Sequence, residues 1–474
     1  LAAFMLILLG WVFVPFYLRS GVYTMPEFLE KRYSKACRNY LSIVSILAYV
    51  ITKISLIIFA GALVFETMGV PFWTGAIFIV LGTGFYTVLG GLKAVIYTDM
   101  IQTFILIAGT AAVTYYGLAS LGGWDELMHV LNTAALEPEN PSGGSYFNLW
   151  RSGGETEYPW TGMLFGAPIL GIWYWCTDQF IVQRALSAKD ETNARRGALF
   201  AGYLKLLPVF IFFLPGVIAF ALAQKGMLDF SITSPDQALP SMIAGFLPTG
   251  IKGLAIAGLL AAIMSSLSSA FNSSSTLITI DFYKPWRPTA TDKEIVWVGQ
   301  LATVILVLLS LGWIPFMKTL MGGGIFLYLQ TIQAYIAPPI AAVFLFGLFF
   351  SWINARAAIT SLWVGFVLGV ARLVAEYLSN EGILKVVPGS ILEFMLSINF
   401  LHYALLLFLF SALVLIVISK LGQPEPSAKI EGLIYQRSSP SKLAQYPGDT
   451  IITVILIVLV LLIWTIFSPW GIGG

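Results

Sequence analysis

Two cysteines and two histidines are all that 474 residues contain of thiol and imidazole. Cys37 falls near the start of one apolar helix and Cys176 inside another, so there is no disulfide framework. His129 lies in a polar connection, and His402 sits on an apolar helix where packing is the simplest role. No HExxH, no cysteine pair at metal spacing and no GxSxG occurs, which leaves hydrolase or zinc chemistry without a recognisable centre. Only an enzyme without these motifs survives. Charge is equally scarce at 11% of residues, with a formal net of +2, so nothing here suggests nucleic acid.

What the chain has instead is hydrocarbon. Hydrophobic residues make up 58% of it, with 34 Phe and 14 Trp, and the mean hydropathy is +0.85. A soluble domain is about 45 to 50% apolar. Crossing about 30 Å of lipid takes about 20 apolar residues, and twelve such runs are centred near residues 9, 52, 81, 107, 173, 209, 262, 304, 338, 365, 408 and 459. They predict an all-α polytopic membrane protein that occupies residues 1–474 as one unit. Residues 121–160 read as a solvated outer loop, and 421–448 as a polar cytoplasmic linker before the last helix. The first residue is Leu rather than Met, so the chain reads as lacking its true N-terminus. Eighteen of the 26 Lys and Arg residues fall in alternate loops, starting with the one that holds Arg19, Lys31, Arg32, Lys35 and Arg38. Five fall in the other loops, while Lys53, Lys205 and Arg372 lie within helices. The positive-inside rule makes the richer set cytoplasmic, so the chain begins and ends outside.

Polar groups inside such helices are costly and mark pathways or binding sites. The richest stretch is AIMSSLSSAFNSSSTLI, residues 262–278, with seven serines within eleven residues. On a helix, Ser265 lies one turn from both Ser268 and Ser269, with Ser266 beside them. Each serine alone reads as a hydroxyl bonded back to its own helix, or as a small residue for close packing. Together they suit a hard monovalent cation, sodium first, completed by carbonyls of an unwound helix. Asp99, in YTVLGGLKAVIYTDMIQTF, follows a Gly90–Gly91 break by about two turns. It reads either as a ligand for a second cation or as an acidic residue near a helix N-terminus at the cytoplasmic surface.

Backbone breakers point the same way. GAPILGIWYWCTDQFIVQR places Pro168 and Gly171 inside a span, and GGGIFLYLQTIQAYIAPPIAAVF has a Gly triplet ahead of a Pro pair. Interrupted helices expose carbonyls and line transporter sites. Trp173, Tyr174 and Trp175, set beside Gln330 and Gln333, would suit a polyhydroxylated ring, although aromatics also form lipid-facing belts and core.

GVYTMPEFLEKRY, YTVLGGLKAVIYTDMIQ, WYWCTDQFIVQRALSAK, GYLKLLPVF, AAIMSSLSSAFNSSSTLITIDFY and YIAPPIAAVFLFGLF together resemble the sodium/solute symporter family, in its sodium/glucose and sodium/inositol branch. The resemblance runs the length of the chain, with the motifs in the family's order. It implies five helices repeated in inverted topology, the leucine-transporter type, with peripheral helices added. It also implies fourteen helices in the sugar branch, of which the first two would be absent here. By the same resemblance one sodium site uses the Ala262 carbonyl with the hydroxyls of Ser265 and Ser266. A second, in members coupling two ions, uses Asp99 with Ser265, Ser268 and Ser269. Glu27, Trp175, Lys205 and Gln330 correspond to the solute site, and Tyr174 to the inner gate. On their own, Lys205 also reads as a residue snorkelling to the cytoplasmic face, and Glu27 as a helix cap in TMPEF.

Three positions depart from the sugar branch of animals: Leu327 for an acidic residue, Gln333 for threonine, and Gly171 for a small polar one. Each alters the hydrogen-bonding rim of the pocket, so the expectation is sodium-coupled uptake of a sugar or polyol, with glucose, galactose and inositol as candidates. Sodium is the coupling ion and no other cofactor is implied. The lipid bilayer is the remaining partner, and the location is the plasma membrane, in a bacterium the inner one. Competing expectations are a sodium symporter for a carboxylate, an amino acid or sialic acid, a channel, and a sugar sensor without flux.

Overall fold

Hydrocarbon offers no partner to a free peptide group, so a spanning segment must satisfy its own backbone, as a helix does. The computed structural model describes residues 1–136, 145–151, 157–227, 235–320, 324–435 and 446–473, and among them there are helices and no strands. In chain order they are α1 (Ala2–Ser20), α2 (Met25–Arg32), α3 (Lys35–Thr67), α4 (Phe72–Leu121), α5 (Trp124–Ala135), α6 (residues 160–177), α7 (Gln179–Leu186), α8 (Glu191–Gln224), α9 (Ala238–Phe246), α10 (Thr249–Trp286), α11 (Asp292–Leu320), α12 (Ile325–Phe349), α13 (Ala355–Asn380), α14 (Ile391–Ser397), α15 (Phe400–Leu421), α16 (Ser427–Ile430) and α17 (Pro447–Ile466). Ten stretches of the described residues are long and apolar enough to cross a membrane. The other two expected runs, near 81 and 173, are the shorter apolar stretch Phe72–Phe85 and the interrupted α6.

The expected break at Gly90–Gly91 is absent, and α4 is helical from Phe72 to Leu121. Glycine weakens a helix by about 1 kcal/mol but keeps its N–H donor, so a pair of them does not force an end. The side chains of residue 86 and of 88–95, Lys93 included, lie outside the described set. Small residues bring the later part of α4 against α10 in antiparallel register. A Cβ on Gly109 would stand 2.8 Å from Ala255 Cα, and one on Gly258 would stand 3.0 Å from the Ile105 carbonyl oxygen. Continuing that register sets Asp99 beside Ser265. The early part of α4 reaches the same level of α10, since a Cβ on Gly82 would lie 3.3 Å from Met264 Cε. Along a straight helix the 17 residues from Gly82 to Asp99 would span about 25 Å. α4 is therefore not straight between these two contacts, although its helix is continuous.

Elsewhere the irregularity expected of this chain is present. α6 passes from α-helix through Gly166 into a π-helical turn over Ile172–Thr177 and stops at extended Asp178. α8 is interrupted at Lys205–Leu207, just before Pro208, and resumes as a π-turn over Val209–Phe213. π-Turns also interrupt α1 at Leu9–Phe13, α3 at Tyr49–Ile54 and α10 at Leu277–Tyr283. The Pro338–Pro339 pair, by contrast, sits inside one unbroken helix. Its prolines free two carbonyls, and close neighbours make that tolerable. α13 supplies the neighbour, for a Cβ on Gly369 would fall 2.0 Å from the Tyr335 carbonyl oxygen, and one on Gly365 2.5 Å from Pro339 Cβ. Of the Gly triplet, only Gly324 lies within the described residues.

Both polar connections carry more structure than their composition suggests. Within 121–160, α5 buries Leu127 and Leu131 in a second apolar cluster, while residues 137–144 and 152–156 lie outside the described set. Within 421–448, the Tyr435 N–H donates to the Leu348 carbonyl at 2.8 Å, and residues 436–445 lie outside that set.

Candidate functional site

Most of the serines on α10 do what single serines in helices do. Ser268 and Ser269 each donate to the Ser265 carbonyl at 2.9 Å, Ser273 to Ser269 at 2.8 Å, and Ser274 to Ala270 at 2.7 Å. A hydroxyl that donates in this way keeps its oxygen lone pairs for another partner. Ser265 is different, because its hydroxyl donates across to Asp99 Oδ1. Asp99, Ser265, Ser268 and Ser269, the set expected for a second cation, are thus gathered on one face of α10 against α4. Asp99 sits in mid-helix rather than at a helix N-terminus.

A cation already stands there. Arg184, on α7, donates through Nη2 to Asp99 Oδ2 at 2.7 Å and to Ser269 Oγ. The adjoining Gln183 donates to Ser273 Oγ at 2.6 Å. Carboxylate and hydroxyls form a hard oxygen cluster with one negative charge, which this guanidinium balances. Any free cation bound here would have to compete with Arg184 for these oxygens. In the sequence Arg184 reads only as one of the eighteen Lys and Arg residues assigned to cytoplasmic loops.

For the first expected cation group, Ala262, Ser265 and Ser266 are all half-buried on the same helix. Ala262 lies within the uninterrupted α-helical run Thr249–Thr276. Its carbonyl is therefore engaged in the helix ladder and offers a cation only a second lone pair. The unwound carbonyls expected beside it are not on α10.

On the solute side, Trp175 and Lys205 come together. The Lys205 Nζ lies 5.1 Å from the centre of the Trp175 indole, at the break in α8. An ammonium over an aromatic face is attracted by the ring quadrupole. Lys205 is exposed by surface area and has no acidic partner among the described residues. Tyr174 stands edge-on to Trp175, with ring centroids 5.0 Å apart. Gln330, half-buried, belongs to the first turns of α12. Glu27 lies elsewhere and closes a helix start. Its backbone N–H donates to the Thr24 hydroxyl at 3.2 Å, and its carboxylate accepts from the Tyr23 N–H at 2.7 Å and pairs with Lys31 at 3.1 Å. These contacts fit the cap reading of Glu27. Partial burial pushes its carboxyl pKa up, but the Tyr23 N–H and the Lys31 ammonium outweigh it and hold the group below its ordinary value.

Beneath Tyr174 lies a buried ion pair. Lys53 on α3 bonds Asp178, which also accepts from the Tyr49 hydroxyl and caps α7 through the Phe180 N–H. The ammonium is ringed by Phe180, Tyr49 and Tyr174 at 4.1, 4.5 and 5.1 Å from their ring centres. Lys53 in the apolar run ITKISLI was the signal for it, since a lysine at that depth needs a partner.

A helical bundle with interrupted spans, an oxygen cluster facing a carboxylate, and an aromatic–cation pair at a helix break define an ion-coupled membrane transporter. The chain belongs to the sodium:solute symporter family, whose profile matches residues 1–365. It is 35% identical over 458 residues to sodium/glucose cotransporter 1 of Oryctolagus cuniculus, covering 92% of this chain and 69% of that protein. It is 37% identical over 457 residues to the sodium/mannose cotransporter of Bos taurus, covering 92% and 76%. Among solved structures, a sodium-coupled sialic acid symporter in a substrate-bound outward-open state matches with a TM-score of 0.70 at 22% identity, covering 89% of this chain and 83% of that one. That likeness establishes the all-helical, inverted-repeat fold.

Proposed function

We propose that this chain is a sodium-coupled symporter of a sugar or related polyol, working by alternating access in a plasma membrane, in a bacterium the inner one. The observation that carries the reading is the oxygen cluster of Asp99, Ser265, Ser268 and Ser269, in a family whose similar members are named for sodium with glucose or mannose. Ala262, Ser265 and Ser266 hold the coupling sodium, and the Asp99 group is a second cation position that Arg184 fills, open to sodium only where Arg184 is displaced. Trp175, Lys205 and Gln330 contact the solute, and Tyr174 closes the inner side. Sodium stabilises the outward-open form and orders the solute site. Solute then closes the outer side, and movement of Tyr174 releases both inward. Each ligand drives its step only through its differential affinity for the two forms.

The test is uptake into proteoliposomes of labelled glucose, galactose, mannose and inositol, with and without an inward sodium gradient. Accumulation of one of them, collapsed by a sodium ionophore, supports the reading. Uptake indifferent to sodium sinks the coupling. Sodium binding without flux of any of the four discards the sugar. Because Lys205 has no acidic partner among the described residues, a carboxylate such as sialic acid belongs in the panel as the second reading.

A further inference from the structure

A cavity of about 350 Å³ lies between the start of α12, the end of α13 and the segment leading into α15. By the distribution of basic residues, all three face outward. The volume falls in the range of small-ligand sites, about 300 to 1,000 Å³, and the lining is of two kinds. Tyr335 presents an aromatic wall and stands edge-on to Tyr403, centroids 5.4 Å apart. Against it lies Arg372, only 7% exposed, with its guanidinium 4.2 Å from the Tyr403 ring centre.

Arg372 is neutralised but not saturated. Its Nε donates to Glu376 Oε1 at 2.9 Å, Nη2 donates to the Ile398 carbonyl, and the Tyr335 hydroxyl donates to the same Glu376 oxygen. Nη1 is buried and has no partner. A buried donor without an acceptor is costly, so a cavity beside one favours an occupant that accepts. The Arg372–Glu376 pair carries no net charge, which removes the attraction for an anion. Thr331 and Asn380 add uncharged donors and acceptors at the rim. An aromatic wall, a spare guanidinium donor, a carboxylate and uncharged rim groups are the chemistry of a neutral polyhydroxylated ring.

We propose that this cavity is a second, outer binding site for the transported sugar or polyol, a sodium-independent antechamber that captures solute before it reaches the turn of α12 carrying Gln330. The inference rests on the sugar reading above. Sodium independence follows from position, because none of the α10 serines lines the cavity.

The test is equilibrium binding to the purified chain of whichever labelled sugar the uptake panel identifies, with sodium or with potassium replacing it. Two molecules per chain are expected in sodium and one in potassium. Gln330→Ala should abolish the sodium-dependent molecule and spare the other. Thr331→Val and Asn380→Ala, two mild changes at the rim, should weaken the sodium-independent one about fivefold each, the scale of one lost hydrogen bond. The same variants should lower kcat/KM for uptake while leaving kcat. Glu376→Gln, which leaves Arg372 unbalanced, should remove the site if the protein still folds. A single, wholly sodium-dependent molecule lost in Gln330→Ala would overturn the antechamber and keep the symporter. No sugar bound under either condition would overturn both.

Discussion

Arg184 is a tethered cation in the place where the proposed function puts a free one. Replacing it by glutamine leaves Asp99 with its serine bonds and no counter-charge, so sodium should fill the gap. The Hill coefficient for sodium in uptake should rise from near one towards two in Arg184→Gln, read from initial rates against sodium concentration. Lys53 presents the opposite case, a buried charge already paired with a carboxylate of its own. Lys53→Met strands Asp178 in the interior, and removing one member of a buried pair costs about 3 to 5 kcal/mol. Thermal unfolding in detergent should show that loss, and Lys53→Met/Asp178→Asn should recover most of it. The serines and Asp99 were legible because they are unusual where they stand. Arg184 was not, because its partner lies 85 residues away and its own neighbourhood reads as an ordinary cytoplasmic edge. Glu27 reads two ways for a related reason, since TMPEF is both a family motif and a good helix start.

Helix contacts in this protein depend on missing methyl groups. Gly369→Val drives side-chain atoms into the Tyr335 carbonyl, which would lie 2.0 Å from a Cβ. Yield of monodisperse protein on size exclusion should collapse, whereas Gly253→Ala, which meets nothing within 4 Å, should leave it intact. At α2 the determinant is charge. The Glu27 carboxyl lies below its ordinary value of about 4.3, so its stabilising contribution is complete above that value. It fades as pH falls through the lower folded value. Wild type should lose melting temperature more steeply than Glu27→Gln below about pH 4, as thermal scans across the acid range would show. The placement of ten of the twelve expected spans followed from composition because apolar length is a strong constraint. The state of Gly90–Gly91 and of Pro338–Pro339 did not, because glycine permits both helix and break, and a proline pair is tolerated only when another helix crowds against it.

For the whole molecule the coupling ion makes transport electrical. Each sodium crossing 100 mV contributes about 2.3 kcal/mol, enough for about fiftyfold accumulation of a neutral solute. Vesicles held at −100 mV with equal sodium on both sides should approach that limit for one ion while Arg184 occupies the second position, and exceed it in Arg184→Gln. Flux of either form that ignores voltage would count against coupling. The fit of Gly365 and Gly369 against α12 also governs how such a machine moves. Two helices with a backbone carbonyl locked against a bare Cα cannot slide past one another without first separating, so α12 and α13 travel as one block. Give in the structure belongs instead to the places where the helical ladder is already broken, at Asp178 and at Lys205–Leu207. Those joints flank Tyr174 and Trp175, so under the proposed function, when the block swings, the gears nearest the cargo turn first.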